Sequence, residues 1–191
     1  MNFRSSVEIV PYDPAWPHQF EELREVLAEK LNALALDIEH VGSTSVPGLS
    51  AKPILDVDIV IATPDDLAPA VAALQGLGYE HQGDLGIAGR EAFRYSNRDV
   101  PRDGSGREWP QHHLYVCQKG NRELRRHIAF RDYLRQHTGE VVTYSVLKQK
   151  LAEEFAMDRQ AYVDAKSEYV DTILGRVDPS LLEEPASEAT Q

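Results

Sequence analysis

Two carboxylates stand one residue apart in Ile54-Leu55-Asp56-Val57-Asp58-Ile59-Val60. Polar and apolar residues alternate there, which predicts a β-strand whose residues i and i+2 share a face. Ile54, Asp56, Asp58 and Val60 then line one face, and Leu55, Val57, Ile59 and Ile61 the other. At roughly 3.3 Å rise per residue the two acids sit about 6–7 Å apart. Two acids among apolar neighbours are costly unless something positive lies between them. A hard divalent cation meets that need, because it takes oxygen ligands and keeps positions open for phosphates. Asp56 and Asp58 are therefore the expected ligands of such a cation. Upstream, Gly42-Ser43-Thr44 offers backbone N–H groups and hydroxyls to those phosphates, since glycine lets the backbone come close. The same alternation also marks an ordinary half-exposed strand; the loop before it is what favours chemistry.

Cations follow the same logic. Lys52 stands between the loop and the acids, placed to pair with an acid in an empty site or a phosphate in a filled one. His40 leads into the loop and is a candidate to orient Asp56 or a phosphate; the competing role is a hydrogen-bonded structural histidine. Between Lys119 and Lys150 eight Lys/Arg face three acids, in a chain of net charge −11. Arg131 and Lys148 from this stretch, with Lys166, are the candidate phosphate wall. Tyr162 and Lys166, four apart, share a helix face. A solvated helical face explains the same charges. Arg90 and Arg94 are further phosphate candidates, and Glu91 a candidate third acid, although each also suits a surface ion pair.

These residues need elements to hold them. Val7–Val10 reads as a short strand, and Phe20, Leu23, Val26, Leu27, Leu31 and Leu34 recur at helical spacing after Asp13-Pro14. A strand over Ile38–Val41 enters the loop. Thr63-Pro64-Asp65-Asp66 starts a helix that Gly76 and Gly78 end. Residues 83–89 are glycine-rich but match no dinucleotide fingerprint. Arg90–Tyr95 and Gln111–Cys117 read as strands; in the second, His113 and Tyr115 share a face. The polar stretch 96–110 between them is expected to be a mobile loop, a lid near the site. Helices capped by Asn121 and Asp158 bracket a third over about 140–156. After Gly175 the chain is acidic and rich in small residues, and an unstructured tail over 176–191 is expected.

With 191 residues and 42% hydrophobic content, one packed domain over 1–175 is expected. No run approaches the ~20 apolar residues of a membrane span. The start lacks an apolar signal segment, and Cys117 is the lone cysteine, so a cytoplasmic protein is expected. The acidic balance argues against a broad nucleic-acid surface.

Gly42-Ser43, twelve residues, then Asp56-Val57-Asp58, with apolar Val41, Val57 and Ile59 beside them, resembles the signature of the nucleotidyltransferase superfamily. The longer text from His40 to Ile54, His-Val-Gly-Ser-Thr-Ser-Val-Pro-Gly-Leu-x-Ala-Lys-Pro-Ile, resembles the GrpB family, a branch of it. So do Tyr12-Asp13-x-x-Trp16, Gly89-Arg90-Glu91-Ala92-Phe93-Arg94, Phe130 to Arg135 with Leu147-Lys148, and Asp158-Arg159-x-x-Tyr162 with Lys166. The resemblance runs from about Val7 to Leu174. It implies an α/β (α+β) fold: a mixed, partly antiparallel sheet with packed helices and a C-terminal helical segment. It implies a nucleoside triphosphate with Mg2+, Asp56 and Asp58 on the metal, and Gly42 and Ser43 on the terminal phosphates. An acceptor on a small molecule or protein then attacks the α-phosphorus. The superfamily places a third carboxylate on a neighbouring strand; here His113 takes that position, as metal ligand or base. That departure supports an alternative, a non-catalytic module that binds a nucleotide or phosphometabolite. The fusion of GrpB-like domains to dephospho-CoA kinase links the alternative to CoA metabolism.

Overall fold

The computed structural model describes residues 8–183. Helix α1 (Trp16–Leu31) carries Pro17 in its first turn, where a missing N–H goes unused. Its Trp16, Phe20, Leu23, Leu27 and Leu31, spaced three or four apart, are buried. Strands β1 (Ala35–Val41) and β2 (Leu55–Ile61) follow. Thr63 and Asp66 form a capping box that leads into α2 (Leu67–Gly76). Next come β3 (Glu80–His81), β4 (Arg90–Arg94) and β5 (His112–Gln118). Helices α3 (Arg122–Gln136), α4 (Thr138–Glu154) and α5 (Arg159–Val177) complete the chain. Asn121 caps α3 through the N–H groups of Glu123 and Leu124, and Asp158 caps α5 through that of Ala161. The architecture is the expected α/β one.

The five strands run in the order β1-β2-β5-β4-β3. β2 pairs antiparallel with β1 and parallel with β5; β5–β4 and β4–β3 are antiparallel. One sheet face packs on α1 and α2, where Leu55, Val57, Ile59 and Ile61 join Leu23, Leu27 and Leu74. The other face carries Val60 and Cys117 against Leu124 of α3. Helices α3, α4 and α5 pack on one another through Leu134, Val141, Tyr144 and Tyr169. The four apolar β2 side chains are each at most 3% exposed. Each contributes roughly 1.5–3 kcal/mol to anchoring the interior strand that carries the two carboxylates. Among the described residues, no helix is long and apolar enough to cross a membrane.

Three expectations change. Val7 lies outside the described residues, and of the predicted first strand only Val10 pairs, in one bridge to Ala51. Residues 96–110 do not form a lid over the acids. Val100 and Trp109 are buried in the core on the α1 and α2 face, and Trp109 Nε1 donates to the Pro101 carbonyl at 2.8 Å. Arg107 pairs with Glu22 of α1 at 2.9 Å. Polar composition concealed two apolar anchors. Residues 176–183, expected to belong to an unstructured tail, are instead built into the helical layer. Helix α5 runs to Val177, and the 3-10 turn Pro179–Leu181 buries Leu181 while its carbonyl accepts from Arg126 at 2.8 Å. The remainder of the predicted tail, from residue 184, lies outside the described residues.

Candidate functional site

The sheet register sets the site. On β2, Asp56 lies opposite Val41 of β1 and His113 of β5; Asp58 lies opposite Glu39 and Tyr115. His113 Nδ1 is 2.9 Å from Asp56 Oδ1. Burial works against the Asp56 charge, but the His113 hydrogen bond and the charges of His113, Lys166 and His127 outweigh it. They hold the carboxyl below the usual carboxylate range. Asp58 is fully buried. His127 of α3 brings Nδ1 within 2.6 Å of Asp58 Oδ2, while Asp58 Oδ1 has no hydrogen-bond partner among the described residues. Burial also works against a charged His127. The hydrogen bond and charge of Asp58, with Asp56 and Glu123 behind it, hold the ring's pKa above its ordinary value.

The loop between β1 and β2 closes on these acids. Gly42 has φ +68°, and a Cβ built there would stand 2.0 Å from Asp56 Oδ2. Only a glycine backbone fits that approach. Residues Ser43–Ser45 form a 3-10 turn, and Ser45 Oγ donates to the Gly42 carbonyl at 2.6 Å. The helical layer braces the loop from outside. Arg135 donates to the Ser45 carbonyl at 2.9 Å, and Ser145 Oγ accepts from the Ser50 N–H at 3.1 Å. Lys148 Nζ donates to Ser43 Oγ at 2.8 Å and to the Ser50 carbonyl.

A cavity of about 420 Å3 opens beside Ser43, Lys52, Asp56, His113, Lys148 and Lys166. Lys52 Nζ sits 4.8 Å over the Tyr162 ring. Lys148 is 1% exposed. Burial, then the neighbouring Lys166 charge, pushes its pKa down to about 7, against the pull of Asp56. The arrangement joins a backbone turn suited to phosphate, three amines and two acids.

The remaining sequence candidates lie elsewhere. Thr44 is buried, with Oγ1 3.0 Å from His40 Nε2. It supports the loop and does not line the cavity. His40 faces away from the acids, stacked on Phe20 at 4.5 Å, and burial pushes its pKa down to about 4. Arg131 is not on the phosphate wall. It pairs with Glu39 and Asp132 and donates to the His40 carbonyl at 3.1 Å, because Glu39 beside Asp58 needs a counter-charge. Arg94 is exposed and pairs with Glu80 at 2.6 Å. Glu91, proposed as the third acid, pairs with His81 at 2.7 Å. Among the described residues no three of His, Cys, Asp and Glu converge as a metal cage.

His127 escaped the sequence reading. A signal was there: it lies three residues after Leu124 and seven before Leu134, on the buried stripe of α3. A polar side chain on such a stripe needs a buried partner.

A GrpB protein family profile matches residues 6–176. UPF0157 protein PA4798 of Pseudomonas aeruginosa is 39% identical over 170 residues, covering 89% of this chain and 67% of that protein. UPF0157 protein YqkA of Bacillus subtilis is 33% identical over 88% of this chain, which spans only 46% of its length. A shorter similarity, 38% over 77 residues, joins 37% of the chain to 19% of a dephospho-CoA kinase of Mycolicibacterium paratuberculosis. The crystal structure of conserved protein GrpB from Enterococcus faecalis aligns with TM-score 0.75 at 32% identity, covering 92% of this chain and all of that one. Cid1 poly(U) polymerase, in a structure with MgGTP bound, aligns with TM-score 0.55 at 14% identity over 96% of this chain and 59% of its own. That likeness shows a fold shared with Cid1 poly(U) polymerase. With the profile spanning nearly its whole described length, the chain belongs to the GrpB family.

Proposed function

We propose that the protein is a metal-dependent nucleotidyltransferase, which moves the NMP part of a nucleoside triphosphate onto a small-molecule or protein acceptor. One observation carries this. The Gly42 backbone lies against Asp56 so closely that no Cβ fits, which brings a phosphate-binding turn and a metal-binding acid together. Ser43, Lys52, Lys148 and Lys166 around the same cavity would take the phosphates. Thr44 would act by holding the loop in shape.

Asp56 and Asp58 fit a hard divalent cation, Mg2+ or Mn2+. Asp58 Oδ1 is buried and unpartnered, and such ions take one or two carboxylates and complete their shell with phosphate oxygens and water. When bound, the ion offsets the charge that develops on the phosphates. In the transfer, the acceptor oxygen bonds to the α-phosphorus, the α–β anhydride bond breaks and pyrophosphate leaves. The acceptor's proton passes to His113. An ionised Asp56 only accepts hydrogen bonds, so Nδ1 carries the hydrogen, and in the neutral ring the Nε2 lone pair is then left to take the proton. His127 Nδ1 likewise faces Asp58 Oδ2. A reaction that draws on nucleoside triphosphates suits the cytoplasmic compartment expected from the free, buried Cys117.

A second reading has its own observation. Beside the two acids, β5 presents His113 and Tyr115, where the superfamily has a carboxylate. A module that binds a nucleotide or phosphometabolite without turnover would tolerate this, and the segment shared with a dephospho-CoA kinase points it toward CoA metabolism. One experiment separates the two. The protein is incubated with each α-32P-labelled NTP and Mg2+ or Mn2+, with and without cell extract, beside Asp56→Asn/Asp58→Asn. Label transfer lost in the variant supports the enzyme. Binding without transfer supports the module. Neither transfer nor binding overturns both.

A further inference from the structure

A second cavity, of about 260 Å3, shares Ser43, Asp56 and Lys166 with the first. Its other walls come from β1, β4 and β5 and from α3, α4 and α5, among them His127, Phe130, Arg90 and Tyr115. The three shared residues form the partition, so both cavities reach Asp56.

One arginine of this second cavity stands outside its ion pairs. Arg126 is matched by Asp171 at 2.7 Å and by Glu123. Glu123 is matched in turn by Arg122 and Arg126. His127 has Asp58. Arg90 makes no ion pair among the described residues, and its buried Nε has no hydrogen-bond partner. Its guanidinium lies 4.4 Å from the centre of the Tyr115 ring. Stacking fixes the plane of the group. A fixed guanidinium suits the two oxygens of a carboxylate or phosphate. An arginine with a desolvated N–H and no ion pair among the described residues, at the wall of a cavity, suits an anion.

Size limits the ligand. Pockets for drug-sized molecules run from roughly 300 to 1,000 Å3, and this one falls below that range. It suits a compact group. The larger cavity, with three lysines and the Tyr162 ring, remains for the nucleotide.

We propose that the second cavity is the acceptor subsite, and that the acceptor is a compact hydroxy compound with a carboxylate or phosphate head held by Arg90. Its hydroxyl reaches Asp56, the partition residue that also holds His113. The oxygen bonds to the α-phosphorus, the α–β anhydride bond breaks, pyrophosphate leaves and the proton goes to His113. The acceptor role rests on the nucleotidyltransferase reading; the anion site does not.

The test uses the full chain with 15N-labelled arginine. The Arg90 Nε–H resonance is identified by its loss in Arg90→Gln, a variant whose amide spectrum also shows whether the fold is kept. L-malate and glycerol 3-phosphate are titrated separately. We expect a saturable shift of that resonance with at least one probe, with cavity amides moving at the same midpoint. Arg90→Lys, which keeps the charge but not the fork, should bind at least tenfold more weakly. A shift with malate alone assigns a carboxylate head, and with glycerol 3-phosphate alone a phosphate head. No saturable shift with either probe, or equal binding by folded Arg90→Gln, overturns the anion site. With that site upheld, α-32P-NTP is added. Label on the bound probe class supports the acceptor role, and label only on other molecules overturns it. Absence of any nucleotide binding instead overturns the nucleotidyltransferase reading and leaves the Arg90 result standing.

Discussion

His127 reaches from α3 to the sheet and sets its Nδ1 2.6 Å from Oδ2 of Asp58, a carboxylate that solvent does not touch. The helix thereby supplies the partner that permits a charge at the centre of β2. Removing one member of a buried pair leaves the other charged and unsolvated, which costs about 3–5 kcal/mol. His127→Ala should lose that much in urea unfolding, and Mn2+ should return more stability to the variant than to the wild type. The sign with pH is fixed. The folded pKa of His127 is raised, so its contribution is complete below the unfolded value near 6.5 and fades as pH rises through the folded value. A variant as stable as the wild type at pH 6 would contradict the pair.

Gly42→Ala tests the approach of loop to acid. The new methyl would fall 2.0 Å from Asp56 Oδ2, at a φ of +68°. Loop or acid must then move. The expected outcome is a loss of stability above about 1 kcal/mol and at least a tenfold fall in nucleotide affinity by calorimetry.

Lys148 should make stability rise with pH. Its folded pKa is pushed down to about 7 from 10.5. Between those values the unfolded chain binds more protons, so unfolding becomes harder as pH increases. Urea unfolding at pH 6.5 and 9 should show this slope in the wild type and a smaller one in Lys148→Met. Triphosphate binding above pH 7 should take up a proton, seen as a dependence of calorimetric enthalpy on buffer ionisation heat.

Two arginines and one lysine can be separated by one comparison. Lys166 lines both cavities, whereas Arg131 and Arg94 are held by acids elsewhere. Lys166→Ala should weaken binding of a non-hydrolysable NTP analogue about tenfold, the loss of one charge-assisted contact. Arg94→Ala should leave it unchanged. Arg131→Ala should lower stability by about 1–3 kcal/mol, because Glu39 loses its partner, and leave the nucleotide contacts in place.

What could be read in advance was local. Alternation placed Asp56 and Asp58 on one face of β2, and cap residues such as Asn121 and Asp158 announced helices through bonds to their own neighbours. Lys148 was legible as a cation but not as a buried one. Arg131 was misjudged because its partner Glu39 stands 92 residues earlier, a pairing no spacing reveals. His127 was hidden in the same way, by 69 residues. The 96–110 segment misled for another reason. Its glycines and charges outnumber Val100 and Trp109, yet those two decide where it lies.

Three residues from the helical layer, Arg135, Ser145 and Lys148, grip the short stretch from Ser43 to Ser50 that the sheet half supplies. They come some 90 to 105 residues later in the chain. Neither half is therefore a portable part. A fragment ending at β5 would keep both acids and lose the mould that shapes the turn above them. A piece that carries this site whole must reach from the Glu8 and Ile9 that line its cavity through α5.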